Sequence, residues 1–98
     1  MNLKHDMYKN RIRAHHYYVV GKIKPEGVLL FNKAMSIIHD TLRPTSTVTN
    51  ALIAFNSVYN AQKVKNLSPY FMLAFEIVSD ILVTERDTYE NNNWSSTT

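Results

Sequence analysis

The stretch RIRAHHYYVV, residues 11–20, sets two arginines, two histidines and two tyrosines within eight positions. Side chains of these types serve three kinds of chemistry: metal ligation, acid–base or nucleophilic catalysis, and the holding of anionic partners. A metal site needs several donors converging on one point. His15 and His16 are adjacent, so on a strand they point to opposite faces and on a helix they diverge by about 100°. His5 and His39 are the other two histidines and the chain has no cysteine, so the spacing offers no ligand set and neither a metal nor another cofactor is expected.

Catalysis is argued against in the same way. Ser36, His39 and Asp40 fall within one helical turn and have the residue types of a nucleophilic triad. Side chains projecting from one solvated face do not converge on a substrate, and no oxyanion-binding loop accompanies them. Gly21 and Gly27 are the only glycines, too few for a phosphate-cradling loop. Glu76 and Asp80 read as the charged outer face of a helix rather than as a catalytic pair. No enzymatic activity, catalytic residue or small-molecule substrate is expected.

Contact with nucleic acid fits the stretch best. From His16 onward the residues become β-branched and aromatic (HYYVVGKI), which predicts a strand or hairpin at about 16–24. On such a strand His16, Tyr18, Val20, Lys22 and Lys24 share one face, and Tyr17, Val19, Gly21 and Ile23 the other. Lys22 and Lys24 then supply charge for phosphates and Tyr18 a ring for stacking, with Arg11 and Arg13 adding contacts just upstream. The expected nucleic-acid-binding set is Arg11, Arg13, His16, Tyr18, Lys22 and Lys24. The plainer alternative is an edge strand guarded by its lysines.

Charge is unevenly spread along the chain. In residues 1–27, Lys4, Lys9, Arg11, Arg13, Lys22 and Lys24 against Asp6 and Glu26 leave +4. Residues 28–65 carry Lys33, Arg43, Lys63 and Lys65 against Asp40, leaving +3. Residues 66–98 carry Arg86 against Glu76, Asp80, Glu85, Asp87 and Glu90, leaving −4. A basic front suits an anionic partner; the alternative is that the two ends attract each other within the fold.

These residues need a scaffold, and 98 residues with 45% hydrophobic content suit one domain with one modest core. Residues 1–90 are read as that domain and 91–98 as a flexible polar tail. The fold expected is mainly α: three amphipathic helices at about 26–42, 46–63 and 68–88 in a small bundle, preceded by a short helix at 3–14 and the basic strand. In the first of the three, Val28, Phe31, Met35, Ile38 and Leu42 recur at intervals of three and four, with Lys33, Ser36, His39 and Asp40 opposite. Pro44 ends it. Thr45, Ser46 or Thr47 can cap the second helix, where Val48, Leu52, Phe55 and Tyr59 form a seam. Residues 44–62 carry no charge, which marks the centre of the core or a subunit interface. Ser68 and Pro69 have the cap-and-first-residue chemistry of a helix start, and Phe71, Phe75, Val78 and Leu82 continue the apolar stripe. Lys24-Pro25-Glu26-Gly27 has turn chemistry, after which the chain either enters the helix at once or first pairs VLLF as a strand. The charged start MNLKHDMYKN lacks an apolar signal core, and no apolar run is long enough for a bilayer, so a cytoplasmic location without membrane attachment is expected.

The order strand, helix, helix over VVGKIKPEGVLLFNKAMSIIHDTLRPTSTVTNALIAF, about a third of the chain, resembles the ribbon-helix-helix DNA-binding dimers. It departs from them in a first helix about one turn too long, an inter-helix turn RPTST without glycine or asparagine, and a third long helix. Two functions follow. The first is a DNA-binding regulator, homodimeric through the strand or the uncharged helix. The second is a protein-directed inhibitor or adaptor, of the kind phages encode, docking on a larger nucleic-acid enzyme or other host machine. For the second, Phe55, Tyr59 and Trp94 form the expected partner-binding set.

Overall fold

Four helices make up the described chain: α1 (Leu3–Val20), α2 (Pro25–Leu42), α3 (Val48–Lys65) and α4 (Pro69–Thr97). This computed structural model describes residues 3–65 and 68–97, with side chains at 7–65 and 68–88. Pro25 and Pro69 each open a helix, where the missing N–H removes no hydrogen bond. Lys24, held extended (φ −64°, ψ 145°) by the proline after it, forms the entry to α2. Of the three candidate caps for α3, Thr47 takes the role, its Oγ1 accepting from the Asn50 N–H at 3.2 Å. Ser68 Oγ accepts from the Phe71 N–H at 3.5 Å, so α4 starts as its sequence implies.

α2 and α4 form the main helix pair. Their stripes bury Phe31, Met35 and Ile38 against Phe75, Val78 and Leu82 in one continuous core. Gly27 lets the first turn of α2 approach α4 closely: a Cβ there would overlap the Tyr70 ring. α3 closes the core with Phe55, whose ring lies 5.8 Å from that of Phe75, while Tyr59 stacks on Phe75 at 5.7 Å. The uncharged helix is thus a core element of a single chain.

The front of the chain departs from the expectation. Residues 16–24 form neither strand nor hairpin, and no strand occurs among the described residues; α1 continues unbroken from Leu3 to Val20. Its inward side carries Tyr8, Ile12, His16 and Val19, spaced four, four and three apart, which is a helical stripe. His16 hides that stripe in the sequence because a polar residue occupies an inward position. The β-branched and aromatic residues around it have a strand preference of only a few tenths of a kcal/mol each, about the size that packing routinely overrides. Three backbone bonds close the helix, including Lys22 N–H to Val19 O at 2.8 Å, and the turn leads directly into Pro25. VLLF therefore belongs to α2, and the topology resembled by the ribbon-helix-helix dimers is absent. At the other end α4 runs on to Thr97, through the segment read as a polar tail. The side chain of Trp94 lies outside the described residues.

Tyr8 fastens the start of α1. Its buried ring sends the hydroxyl to Thr45 Oγ1 at 2.8 Å, and Thr45 Oγ1 in turn donates to Leu42 O at 2.6 Å. This chain adds a second donor to the Leu42 carbonyl at the C-terminus of α2, which also accepts the Thr45 N–H at 3.0 Å.

Candidate functional site

Because α1 is a helix, its polar residues sort into two flanks instead of two strand faces. On the flank toward α4, Arg11, His15 and Tyr18 line a cleft of about 350 Å³ together with Ile77, Asp80 and Thr84. Arg11 Nε lies 2.9 Å from Glu85 Oε1. Glu85 is the deeper partner (14% exposed against 54%), and that oxygen is without a hydrogen bond among the described residues, so charge rather than directed bonding holds the pair. Here the basic front meets the acidic back within the fold. Arg11, expected to face a partner, is already engaged.

The flank toward α2 is different. Lys9, Arg13, His16 and Tyr17 of α1 face His39 and Arg43 across a cleft of about 480 Å³ that no carboxylate lines. Arg13 forms no ion pair among the described residues. Lys9 Nζ donates to Arg43 O at 3.4 Å, beside the negative end of α2. Arg43 reaches Asp40 at 2.7 Å, but both are largely exposed, and a solvated pair of this kind leaves the cation available.

At the back of the cleft, His16, His39 and Asn32 form a hydrogen-bonded row. His16 Nε2 is 2.7 Å from Asn32 Oδ1, and His16 Nδ1 is 3.3 Å from His39 Nε2. Asn32 Oδ1 can only accept, so neutral His16 carries its proton on Nε2 and accepts on Nδ1 from His39 Nε2–H. The rings of the two histidines stack at 5.5 Å. Burial, then His16, then Arg13 hold the His39 pKa below its ordinary value, with Asp40 acting weakly the other way. Sequence placed His39 on the solvated face with Ser36 and Asp40; it is half-buried, while those two are exposed.

The expected contact residues therefore divide. Arg13 is exposed at the mouth of the cleft, Tyr18 is exposed, and Lys22 Nζ sits 5.4 Å from the Tyr18 ring centre. Lys24 is exposed at the entry to α2. His16 turns inward instead of sharing an open face with Tyr18 and the lysines. Phe55 is buried and Tyr59 half-buried in the aromatic core. The two features that carry the expectation of a homodimer, the strand and the seam, are thus absent among the described residues and occupied within the chain, respectively. Sequence reasoning missed Lys9, Tyr17, His39 and Arg43. Lys9, Arg13 and Tyr17 recur every fourth residue, a signal legible only once a helical period is assumed.

Among the described residues, no group of three His, Asp or Glu side chains gathers to hold a metal, and no helix is long and apolar enough to cross a membrane. No protein-family model, curated protein or solved structure matches the chain.

Proposed function

We propose that the protein is a small non-enzymatic binding protein that holds nucleic acid by its phosphates, with the outward face of α1 as the contact surface. The observation that carries this reading is the carboxylate-free cleft lined by Lys9, Arg13 and Arg43 beside the open ring of Tyr17, which is 73% exposed. Cations neutralise phosphates, and exposed aromatic rings accept stacked bases. A helix also has the width to lie in a major groove. Tyr18, with Lys22 over its ring, is exposed on the neighbouring flank of α1, and Lys24 is exposed at the α1–α2 turn, so both add to the contact surface beyond the cleft. Regulation of DNA is the role that such a binder would serve. Mobility shift with random duplex and with single strand at two salt concentrations tests it. Replacing Arg13 and Lys22 together with Ala should lower the slope of log affinity against log salt by about two, close to one per lost phosphate contact. An unchanged slope removes both residues from the interface.

A second reading, the adaptor that docks on a nucleic-acid-processing protein, draws on α3. Its outward side exposes Ile53 and Val64, and residues 48–62 carry no charge. Depletion of charge with exposed apolar side chains is the composition of an interface centre. With Phe55 buried, that surface and Trp94 would have to supply the contacts.

A further inference from the structure

We propose that the cleft between α1 and α2 is a seat for a single phosphate group, bound together with one proton on His39. Lys9, Arg13 and Arg43 supply charge at its mouth, and His39 supplies a donor at its back. This deepens the nucleic-acid reading and rests on it for the source of the phosphate, a backbone diester rather than a free phosphate ion.

With His16 neutral, the hydrogen-bonded row limits where a proton on His39 can go. His16 uses both ring nitrogens, on Asn32 and on His39, and His39 uses Nε2 on His16. The nitrogen left to take a proton is His39 Nδ1, which makes no hydrogen bond among the described residues. Protonated there, His39 gains an N–H donor and a positive charge within a cleft that already holds three cations. That state is unfavourable in the empty cleft, since burial and Arg13 oppose it, as does any positive charge on His16, and Asp40 alone favours it. The lining of the cleft comes from α1, α2 and Arg43 at the C-terminal end of α2, with no charged group from α3 or α4. An anion among these groups reverses the balance: it screens Arg13 and pairs with the new imidazolium. Ligand and proton therefore favour each other, and by reciprocity each tightens the other equally. An opposite charge seated within about 4–6 Å changes protonation by about tenfold or more, so affinity for phosphate should rise about tenfold as pH falls through the His39 titration.

The test follows the His39 C2–H proton by NMR across pH in the intact protein. Three additions are compared at equal ionic strength: sodium chloride, inorganic phosphate, and a short thymidine strand without terminal phosphates. Chloride is the necessary reference because salt alone weakens the influence of Arg13. The strand's diesters keep their charge throughout, so its pH dependence belongs to the protein. The seat predicts that the strand moves the His39 midpoint to higher pH than chloride does, and that Arg13→Gln, a change at an exposed site, largely abolishes the movement. His39→Gln, checked for fold by circular dichroism, should bind the strand with nearly the same affinity at both ends of the pH range. A midpoint raised by inorganic phosphate but not by the strand keeps the seat and removes the nucleic-acid reading from it. A strand that binds in mobility shift while neither anion moves His39 overturns the seat and leaves the nucleic-acid reading standing.

Discussion

The two flanks of α1 are built from similar residues and end in opposite electrostatic states. Toward α4, Arg11 is paired with Glu85, and Asp80 lines the same cleft. Toward α2, Lys9, Arg13 and Arg43 surround a cleft that has no carboxylate in its lining. Half a turn of helix decides which arginine is paired inside the fold and which has no ion pair among the described residues. Net charge along a sequence therefore overstates the charge available for binding, because the position on the helix circumference determines which acidic residues each cation meets.

Both flanks depend on the same inward anchor, so the largest effect should come from removing it. Ile12→Ala is expected to cost about 2–5 kcal/mol as a buried truncation, lowering the melting temperature by about 4–8 °C per kcal/mol for a domain of this size. Hydrogen exchange should show α1 losing protection before α2 and α4. Unchanged melting would mean that α1 does not pack by this face.

Gly27→Ala strikes the frame on which both flanks hang. The new methyl overlaps the Tyr70 ring, and forced overpacking costs about 1–3 kcal/mol. The double variant with Tyr70→Ala should recover part of the loss in thermal melting, since the overlap disappears. Equal melting of the single and double variants would contradict the close approach of α2 and α4.

Glu85→Gln should make the α4 flank resemble the other. An ion pair with an exposed partner contributes about 1 kcal/mol or less, so stability should barely change. Arg11 is released, and the slope of log affinity against log salt for nucleic acid should steepen by up to about one. An unaltered slope would show that Arg11 lies outside the reach of the ligand.

The smallest effect is a pH dependence confined to the α2 flank. His39 binds its proton less readily in the folded protein than at the ordinary histidine value of 6.5. The unfolded chain then takes up more protons as pH falls, so the contribution of His39 to stability is whole above about 6.5 and is lost as pH drops toward its lowered folded value. Chemical denaturation at a series of pH values should show a shallower acid-side decline in His39→Gln than in the parent protein.

The legible parts of this molecule are those in which local signals and packing agree. α2 and α4 announce themselves through stripes such as Phe31, Met35, Ile38 and Phe71, Phe75, Val78, with prolines at their starts. α3 was legible as an element, but its uncharged seam could not reveal that the facing surface is Phe75 of the same chain rather than a second copy. α1 was misread beyond residue 14 because His16 breaks the apolar stripe, and its role depends on Asn32 and His39, which lie 16 and 23 residues away. The pairing of Arg11 with Glu85 is more distant still, and no local pattern encodes it. Half of the strip's chemistry was visible as residue types; its division into a neutralised flank and an open one is a property of the folded helix.

That division is tested most directly by treating the two arginines identically. Arg11→Gln and Arg13→Gln remove the same charge from positions half a turn apart on one helix, and the binding of random duplex can be measured for each over a range of salt. The account predicts that Arg13→Gln lowers the slope of log affinity against log salt by about one, whereas Arg11→Gln leaves it within error of the parent protein. Equal losses for both variants, or a loss for Arg11→Gln alone, would contradict it.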